Sequence, residues 1–100
     1  MRMELERVSR HAVERYIERV DPRLDARQAA EAIREIWRSG RARPRPRWWS
    51  SRMGERPGTR YVYSAADADV CLIAAGRCVV TVQSRAICRE WRGQERLEHG

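Results

Sequence analysis

The strongest chemical signal in this sequence is the run Arg41-Ala42-Arg43-Pro44-Arg45-Pro46-Arg47-Trp48-Trp49, in which guanidinium groups alternate with small or ring residues. Arginine offers a planar fork of donors that matches phosphate, and tryptophan offers a flat face on which an unpaired base can stack. With Arg52 added, Arg41, Arg43, Arg45, Arg47, Trp48 and Trp49 form a candidate nucleic-acid-binding set. The plainer alternative is that both tryptophans plug the edge of a core while the arginines are solvated, because tryptophan rarely stays exposed. Arg47 stacked on an indole is a third arrangement the spacing allows.

A second constellation lies near the N-terminus, where His11, Glu14 and Arg15 fall three and four residues apart and share one polar helix face. Histidine titrates near neutrality and can move a proton, a carboxylate can orient it, and arginine can hold a phosphate as charge develops. Those are the functions a metal-independent ribonuclease requires. The same trio also arises as an ordinary solvated face in a helix rich in Arg and Glu. Further along, Tyr61, Tyr63, Thr81 and Arg85 would project from neighbouring strands and could line a shallow phosphate site, or simply pack.

The overall charge points the same way. The chain has 100 residues with 21 Lys+Arg against 14 Asp+Glu, a formal charge of +7. All the bases are arginine, and lysine, asparagine and phenylalanine are absent together, which reflects GC-rich coding more than a demand for guanidinium chemistry. The excess of positive charge is independent of codon bias and would steer the chain towards RNA, another polyanion or an acidic protein face. The apolar stretch Val79 to Val82 beside Cys78 is far short of the roughly 20 residues of a membrane span, so no membrane partner is expected. Met1 to Glu6 lacks an apolar signal region, and a cytoplasmic location follows as an expectation. Cys71, Cys78 and Cys88 form an odd set with no CxxC pair, and His11 and His99 lie far apart, so free thiols, no metal and no cofactor are anticipated. No phosphate-binding glycine loop, HExxH or nucleophile elbow occurs.

The elements that must position these groups read as an α+β domain over residues 1–92, with a basic Arg/Pro/Trp loop at 40–58 and a polar tail at 93–100. Ser9 is a plausible N-cap, and Val8, Ala12, Val13, Tyr16, Ile17 and Val20 recur at helical spacing, giving a first helix near 10 to 20 that Asp21-Pro22 ends. Asp25 and Gln28 form a capping box for a second helix bearing Ala29, Ile33, Ile36 and Trp37, with Gly40 in the left-handed position past its end. After Pro57-Gly58 the period becomes two. Residues 60–64, 70–75 and 78–83 predict a small antiparallel sheet of three to four strands, with Trp48-Trp49-Ser50 able to open an edge strand. A two-residue turn at Gly76-Arg77 would pair Ala75 with Cys78, Ile73 with Val80 and Cys71 with Val82, and turn all six towards the helices. Leu72, Ala74, Val79, Thr81 and Gln83 would then line a partly open face. Ile87 and Trp91 suit a short C-terminal helix, although 86–88 would equally extend the sheet.

The string Ser9-Arg10-His11-Ala12-Val13-Glu14-Arg15-Tyr16-Ile17-Glu18-Arg19-Val20, followed later by Val79-Val80-Thr81-Val82 and a basic residue, resembles small phage- and mobile-element-associated proteins that open with an HAxxRY helix. These are similar to the barnase and RelE-like, toxin-like group, in which helices pack on a small antiparallel sheet and several families cut RNA without a metal. The resemblance implies roles for His11, Arg15 and Tyr16 on the helix, and for Thr81 and Arg85 at the end of the last long strand. The Arg/Pro/Trp insertion departs from the usual toxin. A rival expectation of a different class is a non-enzymatic phage accessory factor that presents its basic face to a host protein complex and inhibits it. A homodimer sealed through the last strand or the tryptophans is a third.

Overall fold

A computed structural model describes residues 4–43, 45–49 and 58–86. The order is β1 (Arg7–Val8), α1 (Arg10–Arg19), α2 (Ala26–Ser39), β2 (Arg41–Arg43), β3 (Thr59–Tyr63), β4 (Val70–Ala75) and β5 (Cys78–Ser84). The fold is α+β, with two helices against a five-stranded sheet of order β1-β5-β4-β3-β2. All pairings are antiparallel except β1 with β5. The sheet therefore exceeds the expected three to four strands, and both additions are short edge strands that carry almost no periodic signal.

Local sequence explains both helices. Ser9 caps α1 by accepting the Ala12 N–H at 3.0 Å, while its own hydroxyl donates to Val80 O at 3.0 Å and its N–H donates to Val79 O at 2.9 Å. One side chain thus caps the helix and anchors it to β5. The capping box of α2 is formed: the Gln28 N–H donates to Asp25 Oδ1 at 2.8 Å and the Asp25 N–H donates to Gln28 Oε1 at 3.0 Å. Gly40 is not left-handed, contrary to expectation, since it is extended at φ −77° and ψ 176°. Its necessity is space. A Cβ there would lie 2.5 Å from both Ile36 O and Tyr63 O, so only glycine lets α2 turn directly into β2.

The sheet overturns the expected facing. Ala75 does pair with Cys78, but Ile73 pairs with Thr81 and Cys71 with Gln83, because Val80 is an extra residue in a bulge opposite Ile73/Ala74. Val79 and Val82 consequently both turn towards the helices. There they join Val62, Val70, Leu72 and Ala74 beneath Ala12, Tyr16, Ala29, Ile33, Ile36 and Trp37. Cys71, Ile73 and Val80, expected on that side, instead face away with Tyr61, Tyr63 and Trp49. This second face is closed rather than partly open, since Thr81 and Gln83 are buried there too. Strands β4 and β5 are apolar on both sides, so alternation shows that there are two faces without saying which one meets the helices.

Among the described residues the outer edge of β5 has no strand partner beyond Val79, and α1 covers it. Arg19 Nη1 donates to Val82 O at 2.9 Å and to Gln83 Oε1 at 3.0 Å, beside the Ser9 bond to Val80 O. Cys71 and Cys78 are free thiols, as the pairing register requires. Among the described residues no helix is long and apolar enough to cross a membrane. The expected C-terminal helix after Arg85, the tail at 93–100, Cys88 and His99 lie outside the described residues.

Candidate functional site

Part of the stretch read as a loop is strand. Arg41, Ala42 and Arg43 of β2 pair with Tyr63, Val62 and Tyr61 of β3, and directly paired residues share a face. Ala42 therefore lies on the helix side with Val62, while Arg41 and Arg43 stand at the rim of the aromatic face. The expected edge strand at Trp48-Trp49 is instead a turn, in which Trp49 is 3% exposed and Trp48 is 50% exposed.

Tyr63 is the post on which this turn is fastened. Its hydroxyl accepts the Arg47 N–H at 2.7 Å, its ring lies 5.4 Å beneath the Arg47 guanidinium carbon, and the Trp49 ring meets it edge-on at 5.6 Å and 80°. Arg41, Arg43, Arg47 and Tyr63, with Ser64, Ala65 and Ala68 of the following turn, line a cleft of about 270 Å³. Arg43 also borders a neighbouring hollow with Arg60, Gly58 and Thr59, although Arg60, paired with Ala74, belongs to the helix face of β3. Arg60 was not singled out from sequence; its only signal there was its place one residue before Tyr61.

Ion pairing separates these arginines from most of the others, although Arg7 and Arg34 also have no acid within ion-pair distance among the described residues. On the helices Arg10 pairs with Glu14 at 3.4 Å, Arg27 with Glu31 at 3.4 Å, Arg38 with Glu35 at 2.6 Å, and Arg15 with Glu18. Arg23 pairs with Asp21 at 3.1 Å and Arg77 with Glu6 at 3.1 Å. Hydrogen bonds from Arg23 hold the Asp21 carboxyl below its ordinary range. By contrast, Arg41, Arg43, Arg45 and Arg60 have no acid within ion-pair distance among the described residues. The sequence from Gly40 to Gly54 contains no Asp or Glu at all. Positive charge is therefore concentrated at this rim, where any polyanion would be drawn.

The five residues expected to catalyse are not brought together. His11 is exposed on α1, Glu14 is engaged by Arg10 and Arg15 by Glu18. Thr81 pairs with Ile73 and so lies on the opposite side of the sheet from α1, where it is buried. Arg85 follows β5 and sits over Trp48, 5.7 Å from the ring centroid. The β5 backbone thus divides His11 from Thr81. The two strand tyrosines differ: Tyr61 is buried in the aromatic cluster, whereas Tyr63, although largely buried there too, borders the cleft with Arg41, Arg43 and Arg47. Arg52 lies outside the described residues. Of the expected binding residues, Arg41, Arg43 and Arg47 converge on one cleft, Arg45 is exposed between them in sequence, Trp48 is at the surface, and Trp49 is a packing residue. The chain matches no protein-family model, no curated protein and no solved structure.

Proposed function

We propose that this protein binds a polyanion, RNA foremost, at the arginine-lined rim formed by β2, the end of β3 and the Arg45–Trp49 turn. One observation carries the reading: Arg41, Arg43 and Arg47 line a single cleft, and Arg41 and Arg43 have no acid within ion-pair distance among the described residues. Phosphate neutralisation by such groups releases counterions, which makes affinity fall linearly with the logarithm of salt. The test is a salt titration of binding to an RNA oligomer. Arg41→Ala with Arg43→Ala should reduce the slope by about 0.7 for each single-strand phosphate contact removed. No binding at low salt, or an unaltered slope, would overturn the proposal.

The geometry favours binding over RNase-like cleavage. General acid–base chemistry requires the proton-transfer group within hydrogen-bond reach of the reacting centre, and His11 stands across the sheet from Thr81. Cleavage of a bound RNA that His11→Ala abolishes would reverse that preference.

A second reading, a non-enzymatic inhibitor of a host protein complex, is favoured by the half-exposed indole of Trp48 beside a basic rim, since exposed tryptophan and arginine are common interface anchors. It predicts a one-to-one complex with an acidic protein that Trp48→Ala disrupts, together with no affinity for RNA.

A further inference from the structure

Charge does not account for Trp48. It is the large apolar side chain left at the surface among the described residues, although its neighbour Trp49 is almost wholly buried. The indole is nevertheless not loose. Trp49 is packed against Tyr63, which fixes the backbone on one side, and the Arg85 guanidinium lies over the Trp48 ring. Arg85 is itself held by Asp69: its N–H donates to Asp69 O at 2.8 Å, and its Nη1 lies 3.8 Å from Asp69 Oδ1. The last sheet pair, Val70 with Ser84, roots both residues at one end of the sheet.

That end is also where the basic cleft opens. Arg41 begins β2 opposite Tyr63 at the end of β3, β4 starts beside it, and Arg85 leaves the end of β5. From β2 to β5 there are three inter-strand spacings, about 14 Å at the usual separation. Arg47 lies in the cleft and is joined covalently to Trp48. A polyanion lying across this end would therefore meet guanidinium groups first and an indole next. In a duplex the bases are already stacked and paired inside, but in a single strand each base has a face to offer, and aromatic side chains take that face with little regard to sequence.

We propose that Trp48, backed by Arg85, is a stacking platform for an unpaired base, so that the ligand of the neighbouring cleft is a single-stranded nucleic acid; this rests on the polyanion reading above. Phosphates would occupy the Arg41, Arg43 and Arg47 cleft while one base covers the indole. Asp69 is then a positioning residue, acting only through Arg85.

The experiment compares three probes at one salt concentration by fluorescence anisotropy: an unstructured oligouridylate, an abasic strand of the same sugar and length, and a duplex of equal phosphate count. Wild-type protein should bind the oligouridylate about tenfold or more tightly than the abasic strand, the usual worth of one aromatic stack. Trp48→Ala should erase that difference while leaving both abasic binding and the salt slope unchanged, and Trp48→Phe should retain part of it. Because Trp48 is half exposed, an unchanged melting temperature verifies the fold. Equal wild-type affinity for oligouridylate and abasic strand, or full oligouridylate affinity in Trp48→Ala, overturns the platform and leaves the polyanion reading standing. Failure to bind any of the three overturns both.

Discussion

The two faces of the sheet bury comparable stretches of the same strands with different chemistry. On the helix side Leu72, Val62, Val79 and Val82 meet Ile33, Ile36 and Trp37, a contact made by apolar side chains. On the other side Tyr61, Tyr63, Ile73 and Trp49 share the burial with Thr81 and Gln83, and the cover is a short turn fastened by the hydrogen bond from the Arg47 N–H to the Tyr63 hydroxyl and by ring contacts. The first face is held by area removed from water, a force with no direction. The second is held by oriented contacts around one tyrosine, and its rim keeps Arg41 and Arg43 in solvent. Ligand contact is thereby confined to the second face, so a substitution on the helix face should lower stability and leave binding intact, whereas one at Tyr63 should touch both.

The largest expected effect tests the helix face. Leu72→Ala removes a fully buried side chain between sheet and helices and should lower unfolding free energy by about 3 kcal/mol in urea denaturation, with RNA affinity per folded molecule unchanged. A loss below about 1 kcal/mol would place the principal core elsewhere.

A smaller effect tests the aromatic face. Tyr63→Phe keeps the ring but deprives the Arg47 N–H of its acceptor, which should lower stability by about 1 kcal/mol. The same change should weaken oligonucleotide binding, because the turn carrying Arg47 and Trp48 loses its fastening. If Tyr63→Phe altered stability alone, the assignment of ligand contact to the second face would fail.

The smallest is a pH effect on the helix side. Burial, then the Asp21 and Asp67 carboxylates, push the Tyr16 hydroxyl above its ordinary pKa. Folded Tyr16 keeps its proton to higher pH than an unfolded tyrosine does, so its contribution is intact below about pH 10 and is lost as pH rises beyond that value. Thermal denaturation of Tyr16→Phe should show a shallower alkaline decline than wild type. An identical decline would assign the alkaline sensitivity to other groups.

Much of the helical part was legible because its signals are local. Ser9 as a cap, Asp25 with Gln28, and Pro22 act on backbone groups within four residues of themselves, so these roles follow from sequence neighbours, whereas the Ser9 bonds to β5 do not. The Gly76-Arg77 turn was readable for the same reason. Facing was not, because β4 is buried along nearly its whole length and a single inserted residue at Val80 reverses the phase of β5. The candidate binding residues were visible as composition, since an acid-free arginine run needs no fold to be noticed. Their division was hidden: Trp48 and Trp49 are identical neighbours, yet one lies against Tyr63 and the other is half in water.

From the order of residues alone came an α+β chain with two capped helices, a run of short strands and a concentrated positive segment, because caps, turns, periodicity and charge all act over a few positions. Three-dimensional packing alone assigned Arg41 and Arg43 to an edge strand, brought Arg47 onto Tyr63 and Arg85 onto Trp48, and put His11 and Thr81 on opposite sides of the sheet. Those relations join residues separated by many positions, and they depend on strand order and on one bulge, neither of which leaves a local trace.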